Sequence, residues 1–175
     1  MRQAFFILPF CAGRYSARSL LPGSPMKASH LRLLMNIWPP YLAAGIRVRE
    51  ISADYRYARV ELKLGLLNRN YVGVHFGGSL FAMTDPFYML LYLQNLGKDY
   101  IVWDRAGQIE FLKPGRGTVS AEFRIRETDL DRVRRETEQG RRFLFDHEVL
   151  IRSSEDELVA RVQRTVYFRR KPEAA

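Results

Sequence analysis

Residues 70–85 read NYVGVHFGGSLFAMTD, a polar, glycine-bearing loop that runs straight into an apolar helix holding one carboxylate. From Leu80 to Leu93 only Thr84, Asp85 and Pro86 fall outside the hydrophobic class. A carboxylate in such a setting is paired, protonated or used. Used, it would activate water or attack a carbonyl carbon, and the chemistry would then need a donor aimed at the developing oxyanion. Gly77, at the helix N-terminus, can supply one: a backbone N–H with no side chain in the way, helped by the positive helix end. Asp85 follows on the same helix, and along a straight helix the intervening rise is ~12 Å. That is too far for both groups to serve one carbonyl within a single protomer, so the pair is expected to meet across a dimer interface. Pro86 removes a helical N–H and is expected to kink the helix beside the carboxylate. Asn70 is placed to position water or the loop, or to be an ordinary turn residue.

The elements that must position these groups are legible in the hydrophobic pattern. Residues 28–38 place Leu31, Leu34, Met35 and Trp38 at helical spacing, and Pro39-Pro40 is expected to stop that helix. Ile46 to Ile51 and Arg56 to Leu64 are strands, the second with Ala58, Val60, Leu62 and Leu64 alternating against Arg59, Glu61 and Lys63. After the apolar helix come a strand over 100–112, a turn at 113–117 and a strand with Val119, Ala121, Phe123 and Ile125 inward. Thr128 to Gln139 reads as a charged surface helix capped by Thr or Asp and ended at Gly140, and two long strands, 142–152 and 157–169, follow. Strands in runs argue for an α+β fold with an antiparallel sheet rather than a doubly wound parallel one. An antiparallel sheet wrapped around one long central helix satisfies this order and explains why that helix is apolar nearly all round. An exposed sheet edge in such a fold invites pairing with a second copy.

At 175 residues and 47% hydrophobic content the chain suits one folded domain, taken here as 26–172. Residues 1–25 carry Arg2, Arg14 and Arg18 without an acid and end at the Pro/Gly/Ser-rich 21–25; they read as a disordered extension or a misassigned start. The net charge of +9 points to anionic partners without choosing among them. A single cysteine, Cys11, excludes an internal disulfide and a Cys-x-x-Cys zinc site, and fits a reducing cytoplasm. No run is long enough for a membrane span. Arg169-Arg170-Lys171 lacks regularly spaced stacking aromatics, so it reads as a charged tail and no nucleic-acid partner is expected. His147 lies among apolar strand residues and reads as a core histidine.

Asn70, Gly73, Gly77-Gly78 and Asp85 resemble the Asn-x-x-Gly-x-x-His-Gly-Gly…Asp signature of the phenylacetate-pathway type of acyl-CoA thioesterases, which have the hot-dog fold. The stretches 38–45 and 75–80 are similar to an uncharacterised hot-dog family related to those enzymes. The resemblance implies a homodimer or dimer of dimers that hydrolyses an acyl-CoA thioester without metal or cofactor. Asp85 would be base or nucleophile, Gly77 the oxyanion donor and Asn70 an auxiliary catalytic residue. Gly78, His75 and Phe76 would line the substrate site, and Arg69, Lys113 and Arg116 would meet the phosphates of CoA. Two departures stand out. The signature His directly precedes the glycine pair, whereas here Phe76 does and His75 is displaced by one residue. The hydroxyl residue of the following strand has no counterpart in Trp103-Asp104-Arg105, where Asp104 and Arg105 could pair with each other or remodel the pocket. A non-catalytic module binding an acyl thioester or another hydrophobic ligand is the alternative. A hydratase or dehydratase on the same fold would need His75 and a carboxylate facing one pocket.

Overall fold

Alternation of apolar and polar residues sets which side of each strand turns inward, and one sheet results. The computed structural model describes residues 26–172, so the expectation for residues 1–25 lies outside the described residues. Along the chain run α1 (Ala28–Ile37), α2 (Pro39–Ala44), β1 (Ile46–Ile51), β2 (Tyr57–Lys63), α3 (Gly77–Ala82), α4 (Phe87–Leu96), β3 (Tyr100–Phe111), β4 (Thr118–Arg124), α5 (Glu127–Glu136), β5 (Arg142–Ser153) and β6 (Leu158–Arg170). The strands form a six-stranded sheet in the order β1-β2-β4-β5-β6-β3, and its neighbouring pairs are antiparallel. Its inner face carries Ala58, Val60 and Leu62 from β2, Val119, Ala121 and Phe123 from β4, and Ala160, Val162, Val166 and Phe168 from β6, all buried.

Across that face lie α3 and α4, whose Leu80, Met83, Phe87, Leu91 and Tyr92 complete the core. Phe87 stacks on Phe123 with ring centroids 4.7 Å apart, and Tyr92 meets Phe168 edge-on at 4.8 Å. The central helix is therefore present, but in two pieces. Thr84 and Asp85 donate to the carbonyls of Phe81 and Ala82 at 3.1 Å in the tight turn that ends α3. Pro86 then offers no N–H, and the Asp85–Pro86 peptide bond is cis.

At the N-terminal end, Pro39-Pro40 stops α1 as expected but also begins α2, because a missing N–H costs nothing in the first turn of a helix. The buried face of α1 is Ala28 and Met35, whereas Leu34 and Trp38 turn outward, contrary to the simple apolar spacing. Asn36 lies along the edge of β1 and closes it: its Oδ1 accepts from the Val48 N–H at 2.8 Å and its Nδ2 donates to the Val48 carbonyl at 3.0 Å. The other edge, β3, has no such cover among the described residues and shows Trp103 and Phe111 to solvent. Helix α5 is capped neither by Thr128 nor by a residue preceding it; Asp129 reaches back to the Arg126 N–H at 2.8 Å. Among the described residues no helix is long and apolar enough to cross a membrane.

Candidate functional site

The loop after β2 is organised by its asparagines. Asn68 is buried; its Oδ1 accepts from the Gly65 N–H at 2.7 Å, and its Nδ2 donates to the carbonyls of Lys63 at 2.8 Å and Ala44 at 3.1 Å. Gly45, which ends α2 at φ +76°, leaves the room for this side chain: a Cβ there would lie 2.5 Å from Asn68 Nδ2. Asn68→Leu removes three hydrogen bonds to backbone groups from a buried side chain and is expected to lower the unfolding free energy by about 2–3 kcal/mol, read from urea melts. Asn70 accepts at Oδ1 from the amides of Val72 and Val74, each 3.1 Å away, and so shapes the turn around Gly73. These bonds engage the Oδ1 of Asn70 within the loop.

His75 is also turned inward. Its ring Nε2 meets the Gly117 carbonyl at 3.1 Å, its N–H donates to the Gly115 carbonyl at 3.1 Å, and burial pushes its pKa down. His75 thus ties the loop to the turn before β4, while its Nδ1 is buried with no hydrogen-bond partner among the described residues. Phe76, exposed, precedes α3 in its place and packs against Gly78, where a Cβ would fall 2.4 Å from the ring. Gly77 and Gly78 open α3, where N–H groups have no acceptor within the helix. Phe111 of β3 closes over Gly77, so the amide end of α3 is walled by two exposed rings.

Arg69 pairs with His75 as an isolated antiparallel bridge, and Arg116 lies between Gly115 and Gly117, whose carbonyls meet His75. Lys113 pairs with Glu157 at 2.7 Å, whereas Arg69 and Arg116 are exposed and have no ion-pair partner among the described residues.

Asp85 sits beyond the end of α3, so the straight-helix separation from Gly77 does not apply to it. Its side chain is 50% exposed and is held from one side by Arg164 of β6, whose Nη1 lies 3.2 Å from Asp85 Oδ2. Arg164 is itself buried at 4% side-chain exposure. It donates through Nε and Nη2 to the Thr84 hydroxyl at 3.2 and 2.9 Å, and through Nη2 to the Phe81 carbonyl at 3.0 Å. Its guanidinium lies 4.3 Å from the centre of the Phe81 ring. Gly107, opposite Arg164 on β3, permits this stack, since a Cβ there would come within 2.7 Å of Phe81 Cζ. Tyr41 of α2 donates its hydroxyl to the Asp85 carbonyl. Burial first, and then the Asp85 charge, push the Tyr41 hydroxyl pKa well above its ordinary value.

A second carboxylate stands behind. Asp104 lies opposite Val166, one inward position along β6 from Arg164, and a bulge at Arg105 shifts the register just after it. Asp104 Oδ2 is buried without a hydrogen-bond partner among the described residues. Burial first, and the Asp85 charge second, push its carboxyl up to about 6 against the pull of Arg164. No ion pair links Asp104 to the exposed Arg105 among the described residues. His147, on β5, stacks on Tyr88 with centroids 4.1 Å apart, and burial holds it neutral, pushed down to about 4.

Sequence reading missed Arg164 and Tyr41. The signal for Arg164 was present: it occupies an inward position in the run Ala160, Val162, Arg164, Val166, Phe168. A cation in a core register needs an anion opposite. Tyr41 carried no comparable mark.

A cleft of ≈ 630 Å³ opens where β4 and β5 diverge, lined by Arg59, Tyr88, Glu122, Arg124 and Arg152 among others. It contains none of the residues around Asp85, and its arginines are paired with Glu61, Glu122 and Asp156.

Residues 27–168 match the model of a family described as a domain of unknown function (DUF4442). No curated protein matches the sequence. Among solved structures, the chain is similar to a Pseudomonas aeruginosa protein of unknown function described as a probable thioesterase. The TM-score is 0.72 at 17% identity, over 83% of this chain and 97% of that one. It is also similar to a Haemophilus influenzae thioesterase, at TM-score 0.62 and 16% identity over 86% of this chain and 95% of that one. The PaaI protein of the E. coli phenylacetic acid degradation operon aligns at TM-score 0.56 and 18% identity, over 83% of this chain and 91% of that one. At these identities the likeness carries the fold: an antiparallel sheet closed over a central helix, the hot-dog arrangement.

Proposed function

The chain belongs to the DUF4442 family, and from that premise we propose that it is an acyl-CoA thioesterase, cleaving a thioester to free acid and CoA at a site shared by two copies. One observation carries the reading. Asp85 is clamped from behind by buried Arg164 and Tyr41 yet half open to solvent, on the segment whose other end presents the amides of Gly77 and Gly78, unpaired among the described residues. A fixed carboxylate and a fixed oxyanion donor are what thioester hydrolysis requires. Asp85 acts as base toward water or as nucleophile, and the Gly77 N–H receives the charge that develops on the carbonyl oxygen. The free β3 edge supports pairing of two copies, since Asn36 closes the β1 edge. Arg69 and Arg116 support recognition of CoA phosphates at the rim. The lone Cys11 supports a reducing, cytoplasmic location.

A second reading, a module that binds an acyl thioester without turnover, draws support from His75. Its ring Nε2 is taken up by the Gly117 carbonyl, and Phe76 rather than His75 directly precedes the glycine pair.

Free-thiol release from a panel of acyl-CoA esters, with Asp85→Asn beside the wild type, separates these readings. Turnover by the wild type that disappears in the variant is the expected result. Turnover indifferent to the substitution removes Asp85 from the mechanism, and tight binding without turnover selects the module.

A further inference from the structure

We infer that Asp85 and Asp104 work as a coupled pair beside Arg164, with Asp85 meeting the attacking water and Asp104 behind it ready to take up the proton that the water gives up. This rests on the thioesterase reading and assigns Asp85 the part of base rather than nucleophile.

The geometry points there in three ways. Arg164 has five N–H groups, and its bonds to Thr84, Phe81 and Asp85 occupy four, leaving one on Nη1. Asp104 Oδ2 is buried and has no partner among the described residues. Asp104 and Arg164 occupy the inner face of adjacent strands, the bulge at Arg105 ends the regular register between them, and Gly107 opposite Arg164 adds no side chain to that face. The charged and titratable groups facing Asp104 are Asp85 from the break between α3 and α4, Arg164 from β6 and Tyr41 from α2. The one cation of the group is ion-paired with Asp85, and the more buried carboxylate is the one that binds a proton.

A carboxyl pushed up to about 6 is a far better proton acceptor near neutrality than an ordinary aspartate. Water loses a proton to the pair as its oxygen bonds to the carbonyl carbon, and the carbonyl electrons move to the oxygen held by the Gly77 N–H. As the intermediate collapses the C–S bond breaks, the sulfur leaves with the bonding electrons, and the pair returns the proton to it. Asp104 acts through Asp85 and is a positioning residue.

The test is the pH profile of kcat for wild type and Asp104→Asn, joined to carbon-13 carboxyl titration of Asp104 in wild type and Asp85→Asn. In the wild type, kcat is expected to rise through about pH 6 and level off, and in Asp104→Asn that limb is expected to move acidward by about one unit or more with a lower plateau. By NMR the Asp104 midpoint near 6 is expected to fall when Asp85 loses its charge. An unmoved limb in Asp104→Asn, or an Asp104 midpoint indifferent to Asp85→Asn, overturns the pair. Absence of wild-type turnover would sink the thioesterase reading instead, and the NMR comparison would still decide whether the two carboxyls are coupled.

Discussion

Arg164→Ala is expected to lower the unfolding free energy by about 3–5 kcal/mol at pH 7.5, one of the largest single effects in this protein. The substitution empties a buried site beneath Phe81 and removes the donors to Thr84 and the Phe81 carbonyl. It also leaves Asp85 and Asp104 facing one another without a counter-charge. That last part depends on pH, and its sign follows from Asp104. Its folded pKa is raised, so the stability it lends is full below its unfolded value near 4 and is lost as pH rises through about 6. Without Arg164 that loss deepens, so the variant is expected to approach the wild type as pH falls from 7.5 toward 5. Arg164→Met restores most of the volume but neither the charge nor the donors to Thr84 and Phe81, and is expected to recover the packing part only. Urea melts of the three proteins at both pH values give the comparison; a deficit equal at the two pH values would show that packing alone is lost.

Gly77→Pro is expected to reduce kcat for acyl-CoA hydrolysis by about 10²–10³ while the protein stays folded. The substitution deletes one N–H and little else. Gly77 is the first residue of α3, where proline is tolerated, and Phe76 before it is extended at φ −64° and ψ 127°, as a pre-proline residue should be. The added Cβ would meet Phe111 Cζ at 2.8 Å, but that ring is exposed and free to turn away. A mixture with Asp85→Asn then asks where the two groups meet. If each site takes Gly77 from one protomer and Asp85 from the other, exchange of subunits should restore about a quarter of the sites. If both groups act within one chain, mixing two inactive proteins restores nothing.

Much of this architecture was legible as alternation. The six strands follow the expected ranges to within a residue or two, most plainly in β2, β4 and β6, which have one dry face, and the apolar helix declared itself by having no wet one. Pro39-Pro40 was legible as a stop but not as a start, since the same missing N–H ends one helix and suits the first turn of the next. Leu34 and Trp38 misled for a different reason: spacing names an apolar face, not whether the fold covers it. At the site, Asp85 and the glycine pair stood out because they lie within one continuous stretch. The roles of His75 and Asn70 did not, because each is decided by a backbone partner that loop geometry brings near. Arg164 was invisible beside Asp85 for a simpler reason, that only strand pairing makes them neighbours.

That last separation sets when the site can exist. Arg164 and the Thr84 hydroxyl it grips are 80 residues apart in the chain. Contacts of that span form only after the loop between them has been closed, at an entropic cost that local helices and hairpins do not bear. During synthesis β1, β2, α3 and α4 emerge well before β6, so Asp85 reaches the solvent with no cation behind it and acquires one only when the final strand docks. The candidate base is thus assembled by the last step of sheet formation, and a chain arrested before β6 would carry the glycine loop and the carboxylate but not the clamp that fixes them.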